Sequence, residues 1–506
     1  MKKILVFLIL LVPVTAFAES QSIAGQWRGL NNGDASILIG DNEAQDLLNV
    51  DITDGGYGIK KRAGIVQFKT IGVSTHSVVS GYYFRDVAGK DTLVFSNDRS
   101  LYRSTYTSGS WSPFAAFITT DTASSRYDFV DSQGYVWRAN SSRDQVARYD
   151  GTTVTYYPSL PLCTQIEVSD DRMIFTGDTS VPNQIYFSKS GDFTTTATGS
   201  QGTDPFTETI GFPGQKITAI KYVSGVLLIW TKDTLAQWVG SNQYDGVITN
   251  IDNRIGTAQP DTIAVDHGIV YWQAQDNHFY SYDFNVVQKI SGPITGSVNK
   301  FYTDEANALS TVRVDINHRI MWTVGARDGA NDNGKTNTTY IWDTRFGVWL
   351  KYIEYSVSAA SGEGFRAQVA FGTTTYFGGT GVVYTWPVGT SDNSNAITAF
   401  WKSKEFIGGD PHAEKDFLSY SVLASSSSGS NIDVSYTVNT SSTVTNNFSL
   451  TADVTGASYR RINANLPSGK SGTFFNMKVG NDDASAPFEI YAVRYDYRPR
   501  PWRVLP

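Results

Sequence analysis

The stretch Gly268–Ser291, GIVYWQAQDNHFYSYDFNVVQKIS, decides the fold. Val270-Tyr271-Trp272 is an apolar strand centre, Gln275-Asp276-Asn277 is a polar turn, and Phe279-Tyr280-Ser281-Tyr282-Asp283 returns with alternating character. The product is a hairpin whose aromatic faces two strands alone cannot cover. Such hairpins must stack on one another, and the object that stacks them is a β-propeller.

Working outward, the same unit recurs. It reads as Leu93-Val94-Phe95 with Ser100-Leu101-Tyr102, Tyr135-Val136-Trp137 with Val146–Asp150, and Met173-Ile174-Phe175 with Gln184–Ser188. Further copies are Val226–Trp230 with Leu235–Trp238, Arg319–Trp322 with Thr339–Asp343, and Thr375-Tyr376-Phe377 with Val382–Trp386. Neighbouring copies start roughly 37 to 55 residues apart, the range of propeller blades. The copies share shape rather than a strict consensus, and they predict an all-β fold with a six- or seven-bladed propeller over residues 21–389. Its closing strand is expected from Ile37–Phe68.

After the polar segment Thr390–Asn395 the hairpin unit stops. Runs such as Ala399-Phe400-Trp401, Phe417–Leu423, Ile432–Tyr436, Phe474–Val479 and Phe488–Val493 alternate with period two. They predict an immunoglobulin-like β-sandwich over 396–498, followed by a basic, aromatic tail over 499–506. Residues 1–18 read as a signal-like leader: Lys2 and Lys3, an apolar run from Ile4 to Val14, then Ala16-Phe17-Ala18. Cleavage after Ala18 implies a periplasmic or extracellular protein.

The totals exclude several classes. The chain has 506 residues and a formal charge of −7, so it does not hold nucleic acid by neutralising phosphates. Cys163 is the single cysteine, which excludes an internal disulfide framework and a thiolate metal cluster within one chain. The histidines are His76, His267, His278, His318 and His412, and none stands at metal-ligand spacing from another. No nucleophile elbow, phosphate loop or zinc-protease motif is present. Asp328–Gly334 lacks a ligand at Ala330 and the closing Glu of a calcium loop. The acidic pairs Asp170-Asp171 and Asp482-Asp483 sit in turns, and so does the basic run Lys60-Lys61-Arg62, which reads as solvated. The expectation is a protein that is not an enzyme, with no catalytic residue, no cofactor and no metal.

Several strings together resemble the tail-nozzle and packaged-DNA-stabilisation proteins of short-tailed bacteriophages. They are Gly29-Leu30-Asn31, Asn49-Val50-Asp51, Lys61-Arg62-x-Gly64, Asn183–Ser188 with Gly191-Asp192-Phe193, and Val270-Tyr271-Trp272 with Lys289-Ile290-Ser291. Lys402-x-Lys404 before Phe406, and Lys415-x-Phe417, fit the same pattern. The resemblance implies a structural virion protein whose copies form a ring, usually of six. That ring sits below the portal and adaptor, among other tail proteins, and DNA leaves through it without sequence-specific binding. An acidic wall is compatible with sliding DNA, because it repels phosphate. Arg498, Arg500, Trp502 and Arg503 are the expected docking residues, since Arg and aromatic side chains are favoured interface anchors. The leader departs from this pattern and supports an alternative. In that reading an exported propeller-plus-sandwich protein binds, or cleaves, glycans through blade aromatics such as Trp137, Trp230 and Trp272.

Overall fold

A computed structural model describes residues 18–122, 126–211, 214–301, 310–325, 336–353, 367–425, 431–439, 443–449, 460–468, 470–483 and 487–500. The leader over 1–17, the Asp328–Gly334 loop, Trp502 and Arg503 lie outside the described residues.

Seven antiparallel sheets form the blades of a propeller. Blade 1 is Gly81–Arg85, Asp91–Asn97, Ser100–Thr107 and Ala115–Ile118, and blade 2 is Tyr127–Ser132, Tyr135–Asn140, Ala147–Tyr149 and Val154–Tyr156. Blade 3 is Gln165–Val168, Met173–Thr176, Gln184–Phe187 and Phe206–Thr209. Blade 4 is Ile217–Val223, Val226–Thr231, Leu235–Val239 and Val247–Asp252. Blade 5 is Ala264–Asp266, Ile269–Gln273, Phe279–Tyr282 and Val287–Lys289, and blade 6 is Thr311–Val314, Arg319–Gly325, Thr336–Asp343 and Val348–Ile353. Blade 7 is Ala367–Phe371, Thr374–Gly378 and Val382–Trp386, completed by Val66–Thr70 from before blade 1.

Every hairpin read in the sequence is the middle pair of strands of a blade. Those strands are covered on both faces by neighbouring blades, so they carry the large apolar side chains: Trp230, Trp272 and Trp322 are wholly buried. Trp230 meets Trp272 across blades 4 and 5, with ring centroids 5.9 Å apart in an edge-to-face arrangement. The ring closes where Val382 pairs with Thr70 and Thr385 with Val66. This closing strand begins in the last three residues of the segment expected to supply it and runs two residues past its end.

The rest of that segment corrects the expected boundary at residue 21. Glu19–Ala24, Val50–Ile52 and Ile59–Lys61 join a sheet with Lys415–Ser425, Arg460–Asn465, Ser471–Gly472 and Glu489–Pro499. Ala44–Leu48 joins the facing sheet with Ala399–Ser403, Asn431–Val438, Val444–Ser449 and Phe475–Asn481. The sandwich is therefore built from both ends of the chain, and the propeller is inserted between them. The reason lies in the buried side chains of these early strands: Ala44, Leu47, Val50, Ile52 and Ile59 have no place on the rim of a blade and fill the sandwich core instead. Asn49, at φ 54°, turns the chain from one sheet to the other, a left-handed conformation that Asn tolerates. Trp27 and Trp401 pack edge to face across the core at 5.1 Å.

Candidate functional site

Two places in the fold gather polar side chains: the propeller axis and the seam between propeller and sandwich. The axis holds a cavity of about 310 Å³ lined by residues from or just before the innermost strands of all seven blades, among them Tyr82, Asp128, Glu167, Lys221, Asp261 and Gln368. Its wall is built to be tight. A Cβ on Gly81 would stand 2.5 Å from the Phe95 ring and 2.7 Å from Val369, so only glycine lets blades 1 and 7 approach there.

The charges on this wall are mostly paired. Lys221 Nζ lies 2.7 Å from Glu167, while much of its side chain faces the water of the channel. Burial is the largest single influence and works against the Lys221 charge, but the charge and hydrogen bond of Glu167, with Asp128 and Asp131, together raise the ammonium above its ordinary range. Asp128, half-buried between strands, accepts the Ile166 N–H at 2.7 Å. Burial is the main reason its carboxyl is pushed up to about 7. The Tyr82 hydroxyl donates to Asp131 at 2.6 Å and is pushed well above its usual value, by burial first and then by Asp131. A smaller cavity of about 160 Å³ continues along the wall, with Arg126, Arg143 and Lys216 around it, and Arg126 is ion-paired to Asp261. No histidine or cysteine is among the described residues that line either cavity.

The seam is made by two buried arginines. Arg62 turns all five of its N–H donors to acceptors. Nε donates to Asn49 Oδ1 at 2.9 Å, Nη1 to Asp392 Oδ1 and the Ala63 carbonyl, both at 2.9 Å, and Nη2 to Asp392 Oδ2 at 2.5 Å and the Ile353 carbonyl at 3.1 Å. Arg319 of blade 6 reaches Asp315 at 2.6 Å and Asp51 at 2.5 Å. Of the basic run expected to be solvated, Arg62 and Lys61 are buried, at 2% and 5% exposure, while Lys60 is half-buried, and burial lowers the Lys61 ammonium to about 8. The physical cause is the polar segment around Asp392, which returns beside Arg62 and supplies its counter-charge.

The residues singled out from the sequence fall as follows. Trp137, Trp230 and Trp272 are all blade core, at 2%, 0% and 0% exposure, so none forms a platform on which a sugar could stack. Arg498 is exposed near the end of the last strand, while Arg500 is held on its own sheet by Asp416 at 2.7 Å and Glu414 at 3.2 Å. Asp170 accepts the Tyr222 hydroxyl of the neighbouring blade and Asp171 that of Ser190 within its own blade, so this pair anchors a turn rather than an acid/base site. His278 is fixed by Ser291 at 2.9 Å.

One gathering was not anticipated. His267 and His318, which the reading by spacing treats as unrelated, meet over Asp266 where blades 5 and 6 adjoin. The signal that could have found them is positional: each occupies the first turn of its blade, one blade period apart.

No protein-family model matches the chain, and no curated protein sequence matches it. Among solved structures it is similar to the extracellular domain of a one-component system from B. thetaiotaomicron, at 12% identity over 72% of this chain and 45% of that one, TM-score 0.43. It is similar to YCF48 from Cyanidioschyzon merolae, at 13% identity over 63% and 98%, TM-score 0.39. A third is PorZ of Porphyromonas gingivalis, at 10% identity over 71% and 44%, TM-score 0.38. The chain spans less than half of the first and third of these. The propeller assignment rests on the chain's own sheets.

Proposed function

We propose that this chain is a non-enzymatic structural subunit of a short-tailed phage virion, a tail-nozzle protomer whose copies close into a ring, six by the resemblance, between the portal or adaptor and other tail proteins. DNA is retained and ejected between copies rather than through the propeller axis. An axial cavity of about 310 Å³ is the size of a small-molecule pocket, far too small for a duplex.

The observation that supports this reading is where the resembling strings come together. Gly29, Asn49, Asp51, Arg62 and Gly64 converge on the seam. A Cβ on Gly29 would stand 1.9 Å from the Trp349 carbonyl oxygen, and one on Gly64 2.0 Å from that of Ser391. Asn49 and Asp51 take part in the two arginine networks. These residues make propeller and sandwich a single stiff body, which is what a subunit that must transmit position around a ring needs. The net charge of −7 keeps phosphate from adhering to its surface.

The test is electron microscopy of the untagged full chain, alone and in purified virions. Rings with a pore wide enough for duplex DNA, and the same density below the portal, are expected. A monomer at every concentration, together with absence of the chain from purified virions, overturns the reading. Deleting 501–506 leaves the last strand intact and is expected to give a folded protomer that does not assemble. Normal rings from that variant retire the docking role of Trp502 and Arg503.

A further inference from the structure

We propose that Asp266, His267 and His318 form a divalent transition-metal site that clips blade 5 to blade 6. Asp266 ends the innermost strand of blade 5, His267 follows it in the turn, and His318 sits in the corresponding turn of blade 6. His318 Nδ1 is 2.9 Å from Asp266 Oδ1, His267 Nδ1 is 3.2 Å from Asp266 Oδ2, and the two rings lie 4.0 Å apart. One ligand atom from each of the three residues falls within 4.8 Å of the others. Ligands about 2.0–2.1 Å from a tetrahedral ion stand roughly 3.3 Å apart along an edge; the two N···O distances are of that length but reach different oxygens of Asp266, so binding draws one ring toward the oxygen that the other already faces. Two imidazoles and one carboxylate form a borderline donor set suited to zinc, cobalt, nickel or copper rather than to calcium or magnesium.

The backbone presents these rings rigidly. His267 has φ 48° and His318 φ 57°, both left-handed, and the turn after each innermost strand asks for that conformation elsewhere too, as at Gln133 and Ser224. The turn therefore requires a left-handed residue but not a histidine, and blades 5 and 6 each place one there beside the same carboxylate. The His318 turn is braced from below. Asp315 accepts the Asn317 and Arg319 N–H groups, both at 3.0 Å, and the Arg319 guanidinium at 2.7 Å. The Asp266 side chain is only 10% exposed, while His267 and His318 are 67% and 46% exposed, so an ion has an entry path and an open position for water. An ion here binds both Nδ1 atoms in their unprotonated form, in place of their direct contacts with the carboxylate.

The experiment is calorimetric titration of the untagged full chain with Zn²⁺, and separately Co²⁺ followed by its visible absorption. The variants are H267N and H318N, because Asn tolerates the left-handed turn, and H412N is the control at a distant histidine. The expected result is one ion per chain, weakened at least about tenfold by either H267N or H318N and unchanged by H412N. Added zinc is expected to raise the melting temperature of the wild type and not of the two variants. Absence of binding, or zinc binding that both variants retain, overturns the proposal; circular dichroism of the variants separates loss of a ligand from loss of the fold.

Discussion

Replacing Arg62 with methionine tests the seam most directly. The side chain is 2% exposed and gives all five N–H donors to protein acceptors, two of them to a carboxylate whose own side chain is 3% exposed. Methionine fills much of the volume but takes the counter-charge away from Asp392. Removing one partner of a buried pair costs about 3–5 kcal/mol, chiefly because the other charge is stranded. Exchanging both partners for apolar groups removes that stranded charge, so R62M/D392L is expected to lose much less than the sum of R62M and D392L. Urea denaturation followed by tryptophan fluorescence reads all three variants. A loss of under about 1 kcal/mol in R62M, or simple additivity in the double variant, refutes the claim that this pair holds the two domains together.

Other predictions address the channel, the cores and the thiol. Burial raises the Asp128 carboxyl to about 7, so the folded state keeps a proton that the unfolded chain gives up near pH 4. Wild-type stability attributable to this group falls as pH rises from about 4 to about 7. D128N is therefore expected to stabilise at pH 8 relative to pH 4, as thermal melts at the two values will show; an equal effect at both contradicts the assignment. Trp272→Ala is expected to cost about 3–5 kcal/mol in denaturant titrations, as for any large aromatic removed from a packed core, and a near-neutral result argues against its place between blades. Gly64→Ala forces the chain away from Ser391 and is expected to lower the melting temperature measurably, which calorimetry reads directly. Burial raises the Cys163 thiol well above its usual range, so a thiol reagent is expected to label it only in denaturant; labelling of the native protein shows that the site opens.

The sequence displays the middle of each blade and little else of it. Strands such as Ile269–Gln273 and Phe279–Tyr282 are sandwiched between neighbours, so their residues must be apolar whichever way they point. Innermost strands such as Thr311–Val314 face a polar channel on one side, and outer strands such as Val247–Asp252 are exposed to solvent, so neither leaves a run strong enough to read. The early strands misled for a different reason. Val50–Ile52 is three residues long, buried throughout and paired with the nearby Ile59–Lys61, and nothing local distinguishes a sandwich hairpin from a blade hairpin when the sheet it joins is set by Glu489–Pro499. Arg62 looked solvated because its counter-charge, Asp392, is remote in sequence and close only after the propeller has closed. His267 and His318 escaped a search by spacing because blade geometry, not helix or strand period, brings them together.

The pairing of Glu19–Ala24 with Glu489–Pro499, and of Val66–Thr70 with Val382–Trp386, carries a consequence for biosynthesis. The sandwich cannot finish until Glu489–Pro499 has been made, whereas the disc can close as soon as Val382–Trp386 has left the ribosome. Until that last blade is made, a nascent chain of this protein must keep its blade aromatics soluble, which makes it a natural client for chaperones that shield unfinished sheets.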